Sequence, residues 1–266
     1  RSPTNEIKDF ITDGFTIGNA AAVNDAGAGD TYVAWCWKAG GAPSGSDKVS
    51  VDGTSYATMS NAGLTEGTVS INKLSVNTDS GFSIATYNGN NSTGSVAHGL
   101  GQKPELIIIK STAPPPNSSW IVYSEAVGAT KYLGLNTTNA AITASNRFNN
   151  TEPDSNVWTF GTSDNLHTTS EHVAYCFHSV AGVSKVGSFV GTNAPGNKQT
   201  IGFEPSWLMI KRTSTTGGWT IIDNKRTPLN KYLSANSNAV EASATSAIVF
   251  ENDGFSFAGV SFNQSG

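Results

Sequence analysis

The chain has 266 residues, with 16 Lys and Arg against 20 Asp and Glu, for a formal net charge of −4. Ser, Thr, Asn and Gly account for 114 of the 266 residues and charged residues for only 14 %, which leaves few long helix formers for exposed helix faces and nearly excludes a helical protein. The acidic balance argues against nucleic acid or an anionic membrane as partner; no apolar run approaches the roughly 20 residues that span a bilayer, and 9 % aromatic residues suffice to build a core.

In chain order, residues 1–41 open at Arg1 without an initiator Met or a leader-like pattern. They carry two strand signals, Phe15–Gly18 and the alternating Tyr32–Trp37. The Asn24, Asp25 and Asp30 cluster lacks the order of a calcium loop and reads as a hairpin turn. Residues 42–80, rich in Ser, Gly and Thr, carry short β-like stretches but no core-sized apolar set, and are expected to be a spacer, either a linker or an extended packing arm. Phe82–Tyr87 alternates like a half-buried strand. Leu106–Ile109 and Trp207–Ile210 are continuous apolar runs entered from Gly-x-x-Pro turns, the pattern of strands covered on both faces. The one helix candidate is a turn near Glu125–Ala129.

Self-comparison organises these segments. Leu100–Lys110 matches Ile201–Lys211, Trp120–Tyr123 matches Trp219–Ile222, Lys131–Leu133 matches Lys231–Leu233 and Ile84–Tyr87 matches Val186–Phe189, at offsets of 101, 99, 100 and 102 residues. Phe15–Gly18 corresponds to Trp158–Gly161 and Phe255–Ala258, and Tyr32–Trp37 to His172–Phe177. The expected organisation is the C-terminal part of a repeat (1–41), the spacer (42–80), a complete β repeat (81–183) and a repeat lacking its last strand (184–266), as in a piece of a longer protein. Seven or eight short strands per repeat predict an all-β protein of tandem β-sandwich or jelly-roll-like repeats of about 100 residues. The missing strand predicts that residues 13–41 pack against 184–266, from the same chain or a neighbour, or that the chain continues further.

Candidate chemistry is sparse. His98 matches Gln199, which suits a turn hydrogen bond better than acid–base work. His167, His172 and His178 do not recur as a metal set, and no metal, cofactor or catalytic residue is expected. Cys36 and Cys176 share a repeat position and read as buried free thiols. Trp120 and Trp219, Tyr132 and Tyr232, Tyr87 and Phe189, and Trp158, Phe15 and Phe255 recur in register, as core residues do. Tyr56 and Phe148 escape a firm register and are the candidate ligand-binding residues.

The segments Phe82–Asn90, His98–Lys110, Trp120–Tyr123, Gly128–Leu133, Leu135–Thr138, Tyr32–Gly41 and Val51–Met59 resemble a repeat domain of marine bacteriophages. Similar repeats occur in tail-fibre-like and other virion-associated proteins of cyanophage-like phages. The resemblance implies a non-enzymatic virion protein, a fibre or surface appendage that presents loops to a host. It carries no catalytic residues across, and Gln199-Thr200 in place of His98-Gly99 departs from the pattern. The implied partners are further copies of the chain, as a homo-oligomer of three, other virion proteins and a host surface glycan. The implied location is the virion, after synthesis in the host cytoplasm. The competing expectation is a carbohydrate-binding or polysaccharide-degrading surface protein.

Overall fold

The computed structural model describes residues 6–25, 27, 30–112, 119–226, 228, 230–246 and 248–265. They form two compact units, Arg1–Trp37 and Lys38–Gly266. In the first, β1 (Ile7–Ile11) and β2 (Gly14–Ile17) make an antiparallel hairpin followed by the single helical turn α1 (Ala21–Asn24). Tyr32 closes it: its hydroxyl donates to the Ala21 carbonyl and accepts from the Asp25 N–H, each at 3.0 Å. Asn24 and Asp25 thus end a helical turn rather than shape the expected hairpin. Among described residues 6–37 no hydrophobic side chain is buried.

The second unit is built from β3 (Val49–Val51), β4 (Thr54–Tyr56), β5 (Ile71–Asn77), β6 (Phe82–Asn88), β7 (Gly94–Ala97), β8 (Leu106–Ser111), β9 (Ile121–Ser124), β10 (Lys131–Gly134), β11 (Ile142–Thr143), the helical turn α2 (Ser145–Phe148), β12 (Val157–Phe160) and β13 (Glu171–Phe177). It continues with β14 (Lys198–Thr200), β15 (Trp207–Lys211), β16 (Trp219–Asp223), β17 (Lys231–Ser234), β18 (Ala242–Ser243), β19 (Ile248–Glu251) and β20 (Gly254–Phe257). The described chain is all-β apart from two single helical turns, neither at Glu125–Ala129.

A nine-stranded sheet runs in the order β11-β10-β9-β8-β13-β6-β5-β3-β4, antiparallel except for β3 against β5. Its inner face packs with the β7–β12 pair around Tyr87, Val96, Ile107, Ile109, Trp158 and Phe160, all 0 % exposed. Such side chains each contribute about 1.5–3 kcal/mol by leaving water. The expected spacer is part of this sheet: Val49, Met59, Leu74 and Val76 are core residues. Its strands escape notice because β3 and β4 have three residues each and β3 pairs parallel with the later β5. The β3–β4 hairpin turns on Asp52 (φ 49°) and Gly53 (φ 87°), an Asp-Gly pair whose two positive φ values match strand twist.

Residues 184–266 form the ladder β15-β16-β17-β18 and the sheet β14-β20-β19 around Ile222, Ile248, Phe255 and Phe257. The ladders β8–β11 and β15–β18 pair in the same register. Ile107 faces Tyr123 as Leu208 faces Ile222; Leu133 faces Val122 as Leu233 faces Ile221; Tyr132 faces Ile142 as Tyr232 faces Ala242. Each turn before the second strand is fastened alike, the Trp120 N–H donating to the Asn136 side chain at 3.0 Å and the Trp219 N–H to Asn236 at 2.7 Å. The two ladders also pack on each other through Val122, Leu133 and Trp219.

The recurring aromatics divide here. Trp219 is 3 % exposed, whereas Trp120 is half-buried, with the Lys110 ammonium 6.0 Å from its ring centroid. Equal backbone positions thus have unequal neighbours.

Candidate functional site

Neither ligand candidate presents an open ring. Phe148 is 1 % exposed and packs edge-on against Tyr123 and Trp158, because α2 turns it into the main core. Tyr56 is half-buried on β4 against the same core. The structure therefore places Phe148, a candidate ligand-binding residue in the sequence, within the main core.

The histidines are separately engaged. His98 Nδ1 accepts from the Leu100 N–H and Nε2 donates to the Asp154 carbonyl, both at 3.2 Å. Burial lowers its pKa to about 4 against the opposing pull of Asp154. The matching Gln199 bonds the Asn197 side chain instead, at 2.8 Å, so the two turns are held differently. His172 stacks on Tyr87 with centroids 5.0 Å apart, and burial lowers its pKa. Among the described residues no three His, Cys, Asp or Glu side chains are grouped to hold a metal ion.

The cysteines also divide. Both are free thiols; Cys176 is buried, and desolvation pushes its pKa up to about 12. Cys36 is exposed, against expectation, because Thr31–Trp37 joins no strand.

The polar cluster with most chemical potential lies where the β7–β8 turn meets the ends of β9 and β13. A depression of about 190 Å³ is lined by Gln102, Lys103, Glu105, Glu125, His178 and Ser179. Lys103 Nζ sits 3.0 Å from Glu125 and 3.4 Å from Glu152. Glu152 accepts the Tyr123 hydroxyl and, at 2.7 Å, the Ala129 N–H. Burial opposes ionisation of Glu152, but these bonds and Lys103 outweigh it and hold the carboxyl below its usual range. The same carboxylate, after desolvation, raises the Tyr123 phenol. Glu105 accepts the Ser179 N–H.

This grouping is invisible in sequence, since Glu125 and Glu152 lie 27 positions apart in loops without a shared motif. Chemically it is an ion-paired network in which Lys103 bridges Glu125 and Glu152. A general acid needs a carboxyl raised by its surroundings, and Glu152, Asp154, Asp223, Glu251 and Asp253 are all shifted down. The depression is also smaller than the roughly 300–1,000 Å³ of ordinary ligand pockets. A second network joins Arg226 to Asp223 and Glu241, each at 2.8 Å, beside β16 and β17. Among the described residues no helix is long and apolar enough to cross a membrane.

No curated protein and no solved structure matches the chain. A family model matches over residues 1–266, and the chain belongs to that family, DUF7483, a domain of unknown function.

Proposed function

We propose that the chain is a non-enzymatic structural protein of a bacteriophage particle, a tail fibre or surface appendage built from tandem β-sandwich or jelly-roll-like repeats and presenting loops for host attachment. The observation that carries this reading is the shared register of β8–β11 and β15–β18, strand for strand, in ladders that pack on each other. A rigid stack of like units gives reach without chemistry, as quasi-linear repeat proteins do. The downward-shifted carboxylates fit a scaffold whose charges serve its own loops. In this reading three chains associate into a homo-oligomer, attached to other virion proteins and located on the particle after synthesis in the host cytoplasm.

Mass spectrometry of purified particles tests it. Peptides of this chain should co-purify at the stoichiometry of a structural component; particles lacking them contradict the reading.

The alternative, a carbohydrate-binding or polysaccharide-degrading surface protein, draws on the Lys103, Glu105, Glu125 and His178 depression, whose polar groups suit sugar hydroxyls. Selective binding on a glycan array, weakened by Glu125→Ala, favours binding; release of oligosaccharides from a polysaccharide favours degradation.

A further inference from the structure

Within the first ladder β8 lies between β9 and β13, and its inward residues Ile107 and Ile109 are 0 % exposed. In the second ladder β15 has β16 as its one strand neighbour among the described residues, and the matching Leu208 and Ile210 are only half-buried. Among the described residues the second ladder has no strand of the β13 kind. Residues 32–37, Tyr-Val-Ala-Trp-Cys-Trp, repeat the pattern His-Val-Ala-Tyr-Cys-Phe of 172–177. They form no strand here, and Tyr32, Val33 and Trp37 are 51 %, 40 % and 49 % exposed. A sheet edge beside half-covered apolar residues templates strand addition. An exposed apolar segment of matching pattern supplies what that edge takes.

We propose that Tyr32–Trp37 of one copy of the chain adds as an antiparallel strand to the edge of β15, on the side away from β16, in a second copy. The register follows from β13 on β8. Cys176 faces Ile107 and Ala174 faces Ile109, so Cys36 of one copy faces Leu208 of the other, and Ala34 faces Ile210. Ala174 and Cys176 are both 0 % exposed. Ala34 and Cys36 therefore enter the core around Ile222 and Phe257, and Val33, Trp35 and Trp37 take the opposite face. The described residues offer one such donor segment and one such edge, which differ from each other, so the contact is heterologous and links copies head to tail. The inference goes beyond the virion assignment and holds or fails without it.

Sedimentation velocity over a range of concentrations, joined to disulfide trapping, tests it on the full chain. The unmodified chain should associate as concentration rises, and Ala34→Arg, a charge introduced in an exposed segment, should abolish that association. Leu208→Cys should give covalent dimers and higher ladders with Cys36 on oxidation. Ile210→Cys should not, because diagonal positions across a strand pair are too far apart for a disulfide. A monomer at all concentrations, association unchanged by Ala34→Arg, or a cross-link confined to single chains would overturn the proposal. Ala34→Arg decides the matter even if Leu208→Cys does not fold.

Discussion

The indole N–H of Trp219 donates to the carbonyl oxygen of Gly134 at 2.8 Å, joining residues 85 positions apart in two different ladders. Around that bond, Ala141 donates its N–H to Thr213 O at 2.9 Å, Gly217 donates to Thr138 O at 2.8 Å, and Met209 packs beside Val122 and Leu133. The interface combines a buried aromatic anchor with satisfied backbone groups, as a permanent contact requires.

Trp219→Ala should therefore destabilise the second unit by about 3–5 kcal/mol, through the cavity and the orphaned Gly134 carbonyl. Trp120→Ala, at the matching but half-exposed site, should cost less than about 2 kcal/mol. Denaturant unfolding of the two variants checks the difference; equal losses would mean the ladders do not depend on this contact.

His98 gives a pH signature. Its folded pKa of about 4 lies below the ordinary 6.5, so the unfolded chain binds a proton more readily than the folded one. Its contribution is full above about pH 6.5 and is lost as the pH falls towards about 4. His98→Gln should flatten stability across that window, measured by thermal unfolding at stepped pH, and an NMR titration of the imidazole should give a midpoint well below 6.5.

Glu152 acts lower on the scale. Its depressed folded pKa contributes stability above the unfolded carboxylate value, and that contribution disappears as the pH falls through the folded one. Glu152→Gln should cost under about 1 kcal/mol at neutral pH, since half of the side chain is exposed to screening solvent, and should leave less acid-dependent loss. A larger acid-dependent loss in the variant would contradict the assigned bonds.

The thiols should separate under a maleimide or disulfide reagent. Cys36 should label quickly in the native chain, while Cys176, buried and shifted to about 12, should label only on unfolding. Two fast native thiols would place β13 wrongly.

Much of the ladder geometry is legible in the sequence. Offsets of 101 and 99 residues carry Leu106 to Trp207 and Ser124 to Asp223, and those residues pair in both ladders. In the apolar run at Leu106–Ile109 the inner Ile107 and Ile109 are buried, and the outer Leu106 and Ile108 are half-buried against the cluster of Val122, Leu133 and Trp219. What periodicity misses is contact between distant segments: the parallel pairing of Val49 with Leu74, and the convergence of Lys103, Glu125 and Glu152. Recurrence is also blind to context. Trp120 and Trp219 share a backbone site, yet only Trp219 has Gly134 to bond; Cys36 and Cys176 share a pattern, yet only Cys176 lies in a strand.

Electron microscopy of the particles with a gold-conjugated antibody against this chain tests the structural reading most directly. The account predicts label along a fibre or surface appendage. Particles without label, combined with a soluble chain that cleaves polysaccharide, would contradict it.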